Sequence, residues 1–208
     1  MFLYFDLGNV LLYFSHERAC RQMAAVASTP ERGLTPTDVR RVVFESGLED
    51  LYEAGELTTA EFYVQFCRQT ATRPDLDALA RAASDIFWPN DSLLAVIAEL
   101  RQGGHRLGLL SNTNEIHWEF VSDGRYDHLP DAFDVLALSY RMGTMKPRRE
   151  IFERAAVLAS VAPGEIFYTD DRPEHVAAAR EVGYDAVQYT DTPALVAELR
   201  RRGIAINL

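Results

Sequence analysis

The sequence is poor in several residue types, and each shortage excludes a class of protein. Cys20 and Cys67 are the only cysteines among 208 residues, so neither a disulfide framework nor a zinc site of recognisable spacing is expected. The formal net charge of −10 argues against a nucleic-acid scaffold, because phosphate backbones require a basic face. No apolar run approaches the ~18 uncharged residues of a membrane-spanning helix, and the start lacks the features of a signal peptide. We therefore expect a globular cytoplasmic protein with no membrane or nucleic-acid partner.

Lysine is the rarest charged residue of the chain. Of 21 basic residues, 20 are arginine and one is Lys146. Because every other basic residue is an arginine, we expect Lys146 to occupy a position that requires lysine in particular. A compact ammonium fits where a broad guanidinium does not.

Strand and helix patterns alternate through most of the chain, which predicts an α/β fold with a parallel sheet covered on both faces. The predicted strands cover residues 2–5, 106–110, 133–138, 165–169 and 185–188. The predicted helices between and after them cover residues 91–102, 148–159, 173–182 and 193–202.

Residues 15–86 interrupt this alternation, because they contain no convincing strand. Their helical stretches lie near 15–27, 36–46, 58–70 and 75–86. The segment is interpreted as a helical insert between the first strand and the rest of the sheet.

Chemically useful side chains follow the predicted strands. Asp6 follows the first strand, Ser111 ends the second, Lys146 lies in the loop after the third, and Asp170 and Asp171 end the fourth. Ligands bind beyond the carboxyl ends of parallel strands, so all of these residues are expected at one edge of the sheet. Carboxylates bind Mg²⁺, and a hydroxyl, backbone amides and an ammonium bind a phosphate.

Each of these residues also has a plainer structural explanation. Asp6 with Gly8 and Asn9 is consistent with a simple turn, and strands often end in serine or asparagine. Asp170 and Asp171 suit the N-cap of a helix, since a proline follows at a position favoured in the first helical turn. A role in capping and a role in a site are compatible.

The motifs FDLGNV, LLSNTN, MKP and TDD, in this order at successive strand ends, resemble the haloacid dehalogenase (HAD) superfamily. The variant DLGNV, the insert sequence YEAGELTTAEF and the WP pair are most similar to its small sugar-phosphate phosphatases of the α-D-glucose-1-phosphate phosphatase type. The resemblance implies a Rossmann-like core of residues 1–14 and 87–208 and a helical cap of residues 15–86. It also implies Mg²⁺-dependent hydrolysis of a small phosphorylated metabolite through an aspartyl-phosphate.

The resemblance implies a role for each metal-site residue. Asp6 is expected to be the nucleophile and a metal ligand. The backbone carbonyl of Gly8 and the carboxylate of Asp171 are expected to be further ligands. Asp170 is expected to support the metal or to orient Lys146.

It also implies which residues bind the phosphate. The Ser111 hydroxyl and the backbone amide of Asn112 are expected to bind the transferring phosphoryl group. Lys146 is expected to neutralise both the phosphate and Asp6. A phosphoryl transition state requires such cations around its equatorial oxygens.

One position departs from the superfamily pattern. The acid usually found two residues after the nucleophile, which moves the protons of the reaction, is replaced by Gly8. His16 at the cap hinge is a candidate proton donor, although the sequence favours a surface or helix-capping histidine at this position.

The departure leaves two alternatives open. One is a metal-independent 2-haloacid dehalogenase, although the nearest arginine after Asp6, Arg18, lies well into the first insert helix. The other is a non-catalytic protein that retains the fold and binds a ligand.

The sequence favours no single natural substrate and is compatible with a monomer or a dimer. Candidates from the insert and hinge to approach the pocket are Tyr52, Glu53, Phe62, Phe87 and Trp88. Packing within the insert or hinge explains each of them as well.

Overall fold

The fold is a parallel five-stranded sheet between two layers of helices, with a helical segment inserted near the start of the chain. The computed structural model describes residues 1–127 and 129–207. The strands within these ranges are β1 (Phe2–Phe5), β2 (Leu12–Phe14), β3 (Phe87–Pro89), β4 (Arg106–Ser111), β5 (Val135–Leu138), β6 (Ile166–Asp170) and β7 (Asp185–Gln188). The predicted α/β class and parallel sheet are confirmed.

Helices connect the strands and fill the inserted segment. Those of the segment are α1 (His16–Ala27), α2 (Pro36–Arg40), α3 (Leu48–Glu53), α4 (Thr59–Thr70) and α5 (Leu76–Ser84). Those associated with the sheet are α6 (Asp91–Gln102), α7 (Glu115–Val121), α8 (Ser139–Met142), α9 (Arg149–Ala159), α10 (Pro173–Val182) and α11 (Thr192–Arg201). A membrane-spanning length of apolar helix is found nowhere in the described residues.

The sheet has the strand order β5-β4-β1-β6-β7, with every neighbouring pair parallel. The strand β1 is therefore central, and its four residues are all buried because both faces of the sheet are covered. Leu93, Ile97 and Leu195 of α6 and α11 pack on one face. Ile151 and Val176 of α9 and α10 pack on the other.

The inserted helical segment has a core of its own. Cys20, Met23, Val39, Phe66 and Leu79, from four different helices, belong to it. The chain enters and leaves the segment through the antiparallel pair β2–β3, in which Phe14 is opposite Phe87. Both ends of the segment are thus joined to the sheet side at a single place.

Some predicted boundaries are wrong for local reasons. The predicted strand 133–138 begins at Val135, because the Phe133 amide closes a turn on the Pro130 carbonyl (3.0 Å) and the Asp134 carboxylate accepts from the Leu107 amide (2.9 Å). The predicted helix 36–46 is an α-helix only to Arg40 and continues as a wider π-helical turn to Glu45.

Three α-helices within the described residues were not predicted. The helices α3 and α8 have only six and four residues, which is too short to show a clear period. The helix α7 had a detectable signal, because Asn114 is its N-cap and accepts from the His117 amide at 3.0 Å. Both cysteines are unpaired; Cys20 is buried and Cys67 is half-buried.

Candidate active site

The carboxyl edge of the sheet brings the predicted acids and the single lysine into contact. Lys146 Nζ lies 2.8 Å from Asp6 Oδ1 and 2.7 Å from Asp170 Oδ2. All three residues are buried, with exposed fractions of 2%, 6% and 0%. Asp6 follows β1 and Asp170 ends the adjacent parallel strand β6, so their side chains reach the same point at the middle of the sheet.

The Lys146 ammonium is held by more than its ion pairs. Its Nζ donates to the Leu110 carbonyl at 3.0 Å and to the Tyr168 hydroxyl at 3.1 Å. The Asn112 side chain forms two bonds to the Lys146 backbone, accepting from its amide at 2.8 Å and donating to its carbonyl at 3.0 Å. The ammonium is therefore presented to Asp6 with little freedom to move.

Asp170 is the most fully bonded carboxylate of the site. Besides Lys146, it accepts from the Tyr168 hydroxyl, from His175 Nδ1 at 3.0 Å and from the Arg172 amide at 2.8 Å. Burial alone would raise the pKa of Asp170, but Lys146 and His175 outweigh it and hold that pKa well below its usual range. These contacts favour an orienting function for Asp170 over direct binding of a metal.

Of the three acids at the sheet edge, Asp6 and Asp171 line the open cavity above it. Asp6 Oδ1 also accepts from the Leu7 amide at 2.7 Å, and Asn9 Nδ2 donates to Asp171 at 3.3 Å. Burial raises the pKa of Asp6, against the lowering effect of Lys146. Burial also raises the pKa of Asp171.

The donor set fits magnesium. Ligand oxygens of Asp6, Asp170 and Asp171 all lie within 4.8 Å of one another. Hard carboxylate oxygens are the ligands that Mg²⁺ prefers. One lysine ammonium is shared by two of these carboxylates, so the cluster carries surplus negative charge that a divalent cation would offset.

The ring of Phe14 packs against Gly8. A Cβ atom at position 8 would lie 2.9 Å from Cε1 of Phe14, the last residue of β2. That contact is closer than a Cβ tolerates, so the Phe14 ring occupies the space of a side chain two residues after Asp6. An acid at position 8 has no room here unless the ring moves.

Ser111 is the last residue of β4, and Asn112 follows it. Ser111 is 2% exposed, and its hydroxyl donates to the Asn112 carbonyl at 3.2 Å. Both residues line a smaller cavity of about 50 Å³ that also includes Gly8. Asn112 also lines the main cavity together with Asp6, and its side chain additionally positions Lys146.

The main cavity, of about 220 Å³, has two walls of different origin. Asp6, Lys146 and Asp171 belong to the wall made by the sheet edge. The opposite wall comes from the inserted segment and includes His16, Glu49, Asp50 and Glu53.

Of the five predicted pocket candidates from the insert and hinge, two line these cavities. Glu53 lines both, and Phe87 lines the smaller one. Tyr52 and Phe62 are buried in the helical segment, where their rings stack at 4.9 Å. Trp88 lies exposed on β3. Packing therefore explains Tyr52 and Phe62, but not Glu53.

His16, the other candidate of the hinge, also lines both cavities. Its ring lies between Phe14, at a centroid distance of 5.0 Å, and Phe44, at 4.4 Å. Burial, with a smaller effect from Arg40, lowers the pKa of His16. Its imidazole is therefore largely neutral near pH 7.

Comparison with known proteins gives a consistent result. The family profile described as haloacid dehalogenase-like hydrolase matches residues 3–183. A D-ribitol-5-phosphate phosphatase from Bacteroides thetaiotaomicron is 29% identical over 192 residues, which are 88% of this chain and 89% of the relative.

Two solved structures share the architecture. A HAD family enzyme from Bacteroides thetaiotaomicron, crystallised with magnesium and inorganic phosphate, superposes with a TM-score of 0.79 at 25% identity and covers 90% of this chain and 93% of its own. A HAD-like family hydrolase from Porphyromonas gingivalis gives a TM-score of 0.82 at 26% identity, covering 95% and 97%.

Proposed function

This chain belongs to the haloacid dehalogenase-like hydrolases and is a phosphoric monoester hydrolase, and we propose that it hydrolyses a small polyol or sugar phosphate through a phosphoryl group carried on Asp6. The family resemblance found in the sequence is confirmed. The observation that carries the proposal is the 2.8 Å contact between Lys146 Nζ and Asp6 Oδ1 at the floor of an open cavity. In this proposal residues 1–14 and 87–208 form the catalytic core, and residues 15–86 form a cap.

The reaction has two displacements at phosphorus. A carboxylate oxygen of Asp6 attacks the phosphorus, and the bond from phosphorus to the leaving oxygen breaks. Water then attacks the phosphorus of the acyl phosphate, and the bond to Asp6 breaks, which releases inorganic phosphate and restores the carboxylate. Lys146, with the Ser111 hydroxyl and the Asn112 amide, binds the equatorial oxygens that carry charge in both transition states.

Magnesium is the cofactor of this site. Asp6, Asp171 and the backbone carbonyl of Gly8 would hold it, while Asp170 orients Lys146 through their 2.7 Å contact. When bound, the ion supplies positive charge that offsets the repulsion between a phosphate and the nearby carboxylates. The Asn9 side chain, which donates to Asp171, keeps that carboxylate beside the cavity.

The wall opposite Asp6 favours an uncharged leaving group. Glu49, Asp50 and Glu53 line it, so a second phosphate or a carboxylate on the substrate would be repelled. Carboxylate oxygens accept hydrogen bonds from hydroxyl groups, which a polyol or a sugar offers in number. The relative from Bacteroides thetaiotaomicron is named for a phosphorylated polyol, which agrees with this chemistry.

Haloacid dehalogenation remains the alternative for an aspartate nucleophile on this fold. Such an enzyme requires an arginine for the substrate carboxylate. Arg18, the first arginine after Asp6, forms instead a 3.1 Å ion pair with Asp85, and both side chains are largely exposed. The paired acids at the end of β6 and the acidic wall favour phosphate-ester hydrolysis.

The test is a screen for phosphate release from polyol, sugar and carboxylated phosphate esters, with added magnesium and with a chelator. We expect release that requires magnesium and is fastest for uncharged polyols or sugars. Halide release from a 2-haloacid without metal would establish the dehalogenase instead. If neither product forms while a phosphate ester binds, the protein is a non-catalytic binding protein and the proposal is wrong.

A further inference from the structure

Phosphate-ester hydrolysis needs a group that moves two protons, and this site lacks one beside its nucleophile. The leaving oxygen must gain a proton, and the attacking water must lose one. Position 8 is glycine, and the Phe14 ring fills the space that an acidic side chain would take. The proton must therefore come from elsewhere in the cavity.

The carboxylates of the sheet edge are already assigned. Asp6 is the proposed nucleophile and Asp171 a proposed metal ligand. His175 bonds Asp170 through its Nδ1 at 3.0 Å, and its Nε2 has no hydrogen-bond partner among the described residues. The remaining carboxylates of the cavity all belong to the inserted segment.

Glu53, the last residue of α3, lines both cavities. It is half-buried, and its carboxylate forms no hydrogen bond or ion pair with any residue in the described part of the chain. The exposed Glu61 differs, because its carboxylate accepts from the Thr58 amide at the start of α4. An acid that is partly removed from water without a partner is available to a ligand.

Two contacts fix Glu53 relative to the sheet. The preceding residue, Tyr52, accepts through its hydroxyl from the Ile116 amide at the start of α7, at 3.3 Å. Two residues after Glu53, Gly55 adopts a φ of +72°, and a Cβ there would lie 2.3 Å from the Tyr140 carbonyl of α8. Only glycine allows this approach. The end of α3 is thus held against the core on both sides of Glu53.

Glu49 lies one turn earlier on α3 and is the closest competitor for the function. Its carboxylate, that of Glu53 and a ring nitrogen of His117 lie within 4.8 Å of one another. His117 Nδ1 is bonded to Asn114 at 3.1 Å, and burial lowers the pKa of His117 to about 4. The imidazole is therefore neutral and offers the two glutamates no positive charge.

The charges around the two glutamates distinguish them. Lys146 and Arg172 act on Glu53, whereas the charges that act on Glu49 are its neighbours Glu53 and Asp50. Glu53 is therefore the member of the pair that lies toward the phosphoryl site.

We propose that Glu53 is the general acid and base of this enzyme, a statement that rests on the proposed phosphatase function. In the first step the Glu53 carboxyl gives its proton to the leaving oxygen as the bond to phosphorus breaks, so the alcohol leaves neutral. In the second step the Glu53 carboxylate takes a proton from the attacking water as the bond from phosphorus to Asp6 breaks. The cycle returns the protonated carboxyl and consumes one water.

The electrostatic surroundings suit this function. Burial, together with the Asp50 carboxylate, raises the pKa of Glu53 to about 7, so both protonation states are populated near neutral pH. A general acid works best with a pKa near the working pH. The titratable and charged groups that face the cavity with Glu53 are Asp6, His16, Glu49, Asp50, Lys146, Asp171, Arg172 and His175, with His117 beside the smaller cavity.

The experiment compares Glu53→Gln with Glu56→Gln, which makes the same change at an exposed position three residues later. Two substrates are used with magnesium present: a polyol phosphate, whose alcohol needs a proton to leave, and p-nitrophenyl phosphate, whose phenolate does not. We expect Glu53→Gln to lower kcat on the polyol phosphate by about 10²–10³-fold. Glu56→Gln should stay within about twofold of wild type on both substrates.

Rapid mixing with p-nitrophenyl phosphate separates the two steps. Glu53→Gln should release nitrophenolate in a fast burst close to the enzyme concentration and then turn over slowly, because only the second step needs the base. A purely structural function would reduce burst and turnover together. Equal losses on both substrates without a burst, or a polyol rate near wild type, would overturn the proposal.

The pH profile gives a second readout. The wild-type kcat/KM for the polyol ester should fall as pH rises through about 7, and Glu53→Gln should lose that fall. Glu53→Asp, which keeps an acid on a shorter chain, should recover part of the activity; no recovery would count against proton transfer. If the wild-type protein releases no phosphate from any ester, the phosphatase function itself is wrong. If the wild-type protein is active and Glu53→Gln is equally active, only the proposal about Glu53 is wrong.

Discussion

The two walls of the cavity differ in how their charged groups are satisfied. On the sheet side, Lys146 Nζ contacts two carboxylates, a carbonyl and a hydroxyl, and Asp170 accepts from four donors. On the side of α3, Glu49 and Glu53 form no hydrogen bond within the part of the chain that the structure describes. The sheet wall is organised before the substrate arrives, as electrostatic stabilisation of a transition state requires. The helical wall has bonding capacity left for the leaving group.

The largest expected effect on kcat comes from removing the proposed nucleophile, Asp6, from the sheet wall. Asp6→Asn keeps the shape of the side chain but supplies neither an attacking carboxylate nor an anionic ligand. We expect kcat to fall by about 10⁴-fold or more, with the fold retained by circular dichroism. If more than about a tenth of the wild-type kcat remained, a loss of only ~1.4 kcal/mol, the sheet wall would not contain the nucleophile.

The second-largest effect is expected for Lys146→Arg, which tests whether the sheet wall has room for any side chain other than lysine. Lys146→Arg keeps the charge but places a wider, planar group in a site where Lys146 is 2% exposed. We expect steady-state kcat/KM to fall by about 10²-fold, because a displacement of ~1 Å is costly in such a reaction. Thermal stability should fall as well, since a buried site tolerates added volume poorly. A variant within about twofold of wild type would show that the wall is not organised around an ammonium.

Substitutions on the two walls should change the free energy of unfolding in opposite directions. Asp170→Asn leaves the Lys146 ammonium without one of its two buried partners, so we expect the free energy of unfolding to fall by about 3 kcal/mol in chemical denaturation near pH 7. The lowered pKa of Asp170 means that its own contribution is present above its ordinary pKa and is lost only in strong acid. If Asp170→Asn were as stable as wild type, the hydrogen bonds and ion pairs of the sheet wall would not contribute to stability as we propose.

The smallest effect is expected for Glu53→Gln on the helical wall, where the substitution should raise the free energy of unfolding at high pH. The pKa of Glu53 is raised from 4.5 to about 7, so its favourable contribution is full below 4.5 and is lost as pH rises through 7. Glu53→Gln has no such loss. Its free energy of unfolding relative to wild type should be on the order of 1–3 kcal/mol higher near pH 8 than near pH 4. If the difference in the free energy of unfolding between Glu53→Gln and wild type did not change with pH, the pKa of Glu53 would not be raised by the fold.

The same contrast separates what the sequence predicts from what it does not. Asp6, Ser111, Asp170 and Asp171 are found together because the ends of parallel strands meet at one edge, and Lys146 was identified by its rarity. That inference needs only strand patterns and chain order.

The remaining parts of the site depend on tertiary contacts. The Tyr168 hydroxyl, bonded to Asp170 and Lys146, lies inside a strand that has an ordinary apolar pattern. The approach of Phe14 to Gly8 follows from the pairing of β2 with β3, whose partners are more than 70 residues apart in sequence. The direction of Glu53 follows from the docking of the short helix α3. None of these contacts leaves a periodic signal in the sequence.

The central claim is that the phosphoryl group is carried on Asp6, and chemical trapping tests it most directly. Wild-type enzyme turning over a substrate with magnesium is quenched and treated with borohydride, which reduces an acyl phosphate of aspartate to homoserine. Peptide mapping by mass spectrometry should find homoserine at position 6, absent when substrate is omitted. Steady phosphate release with position 6 unmodified and another residue reduced would contradict the account.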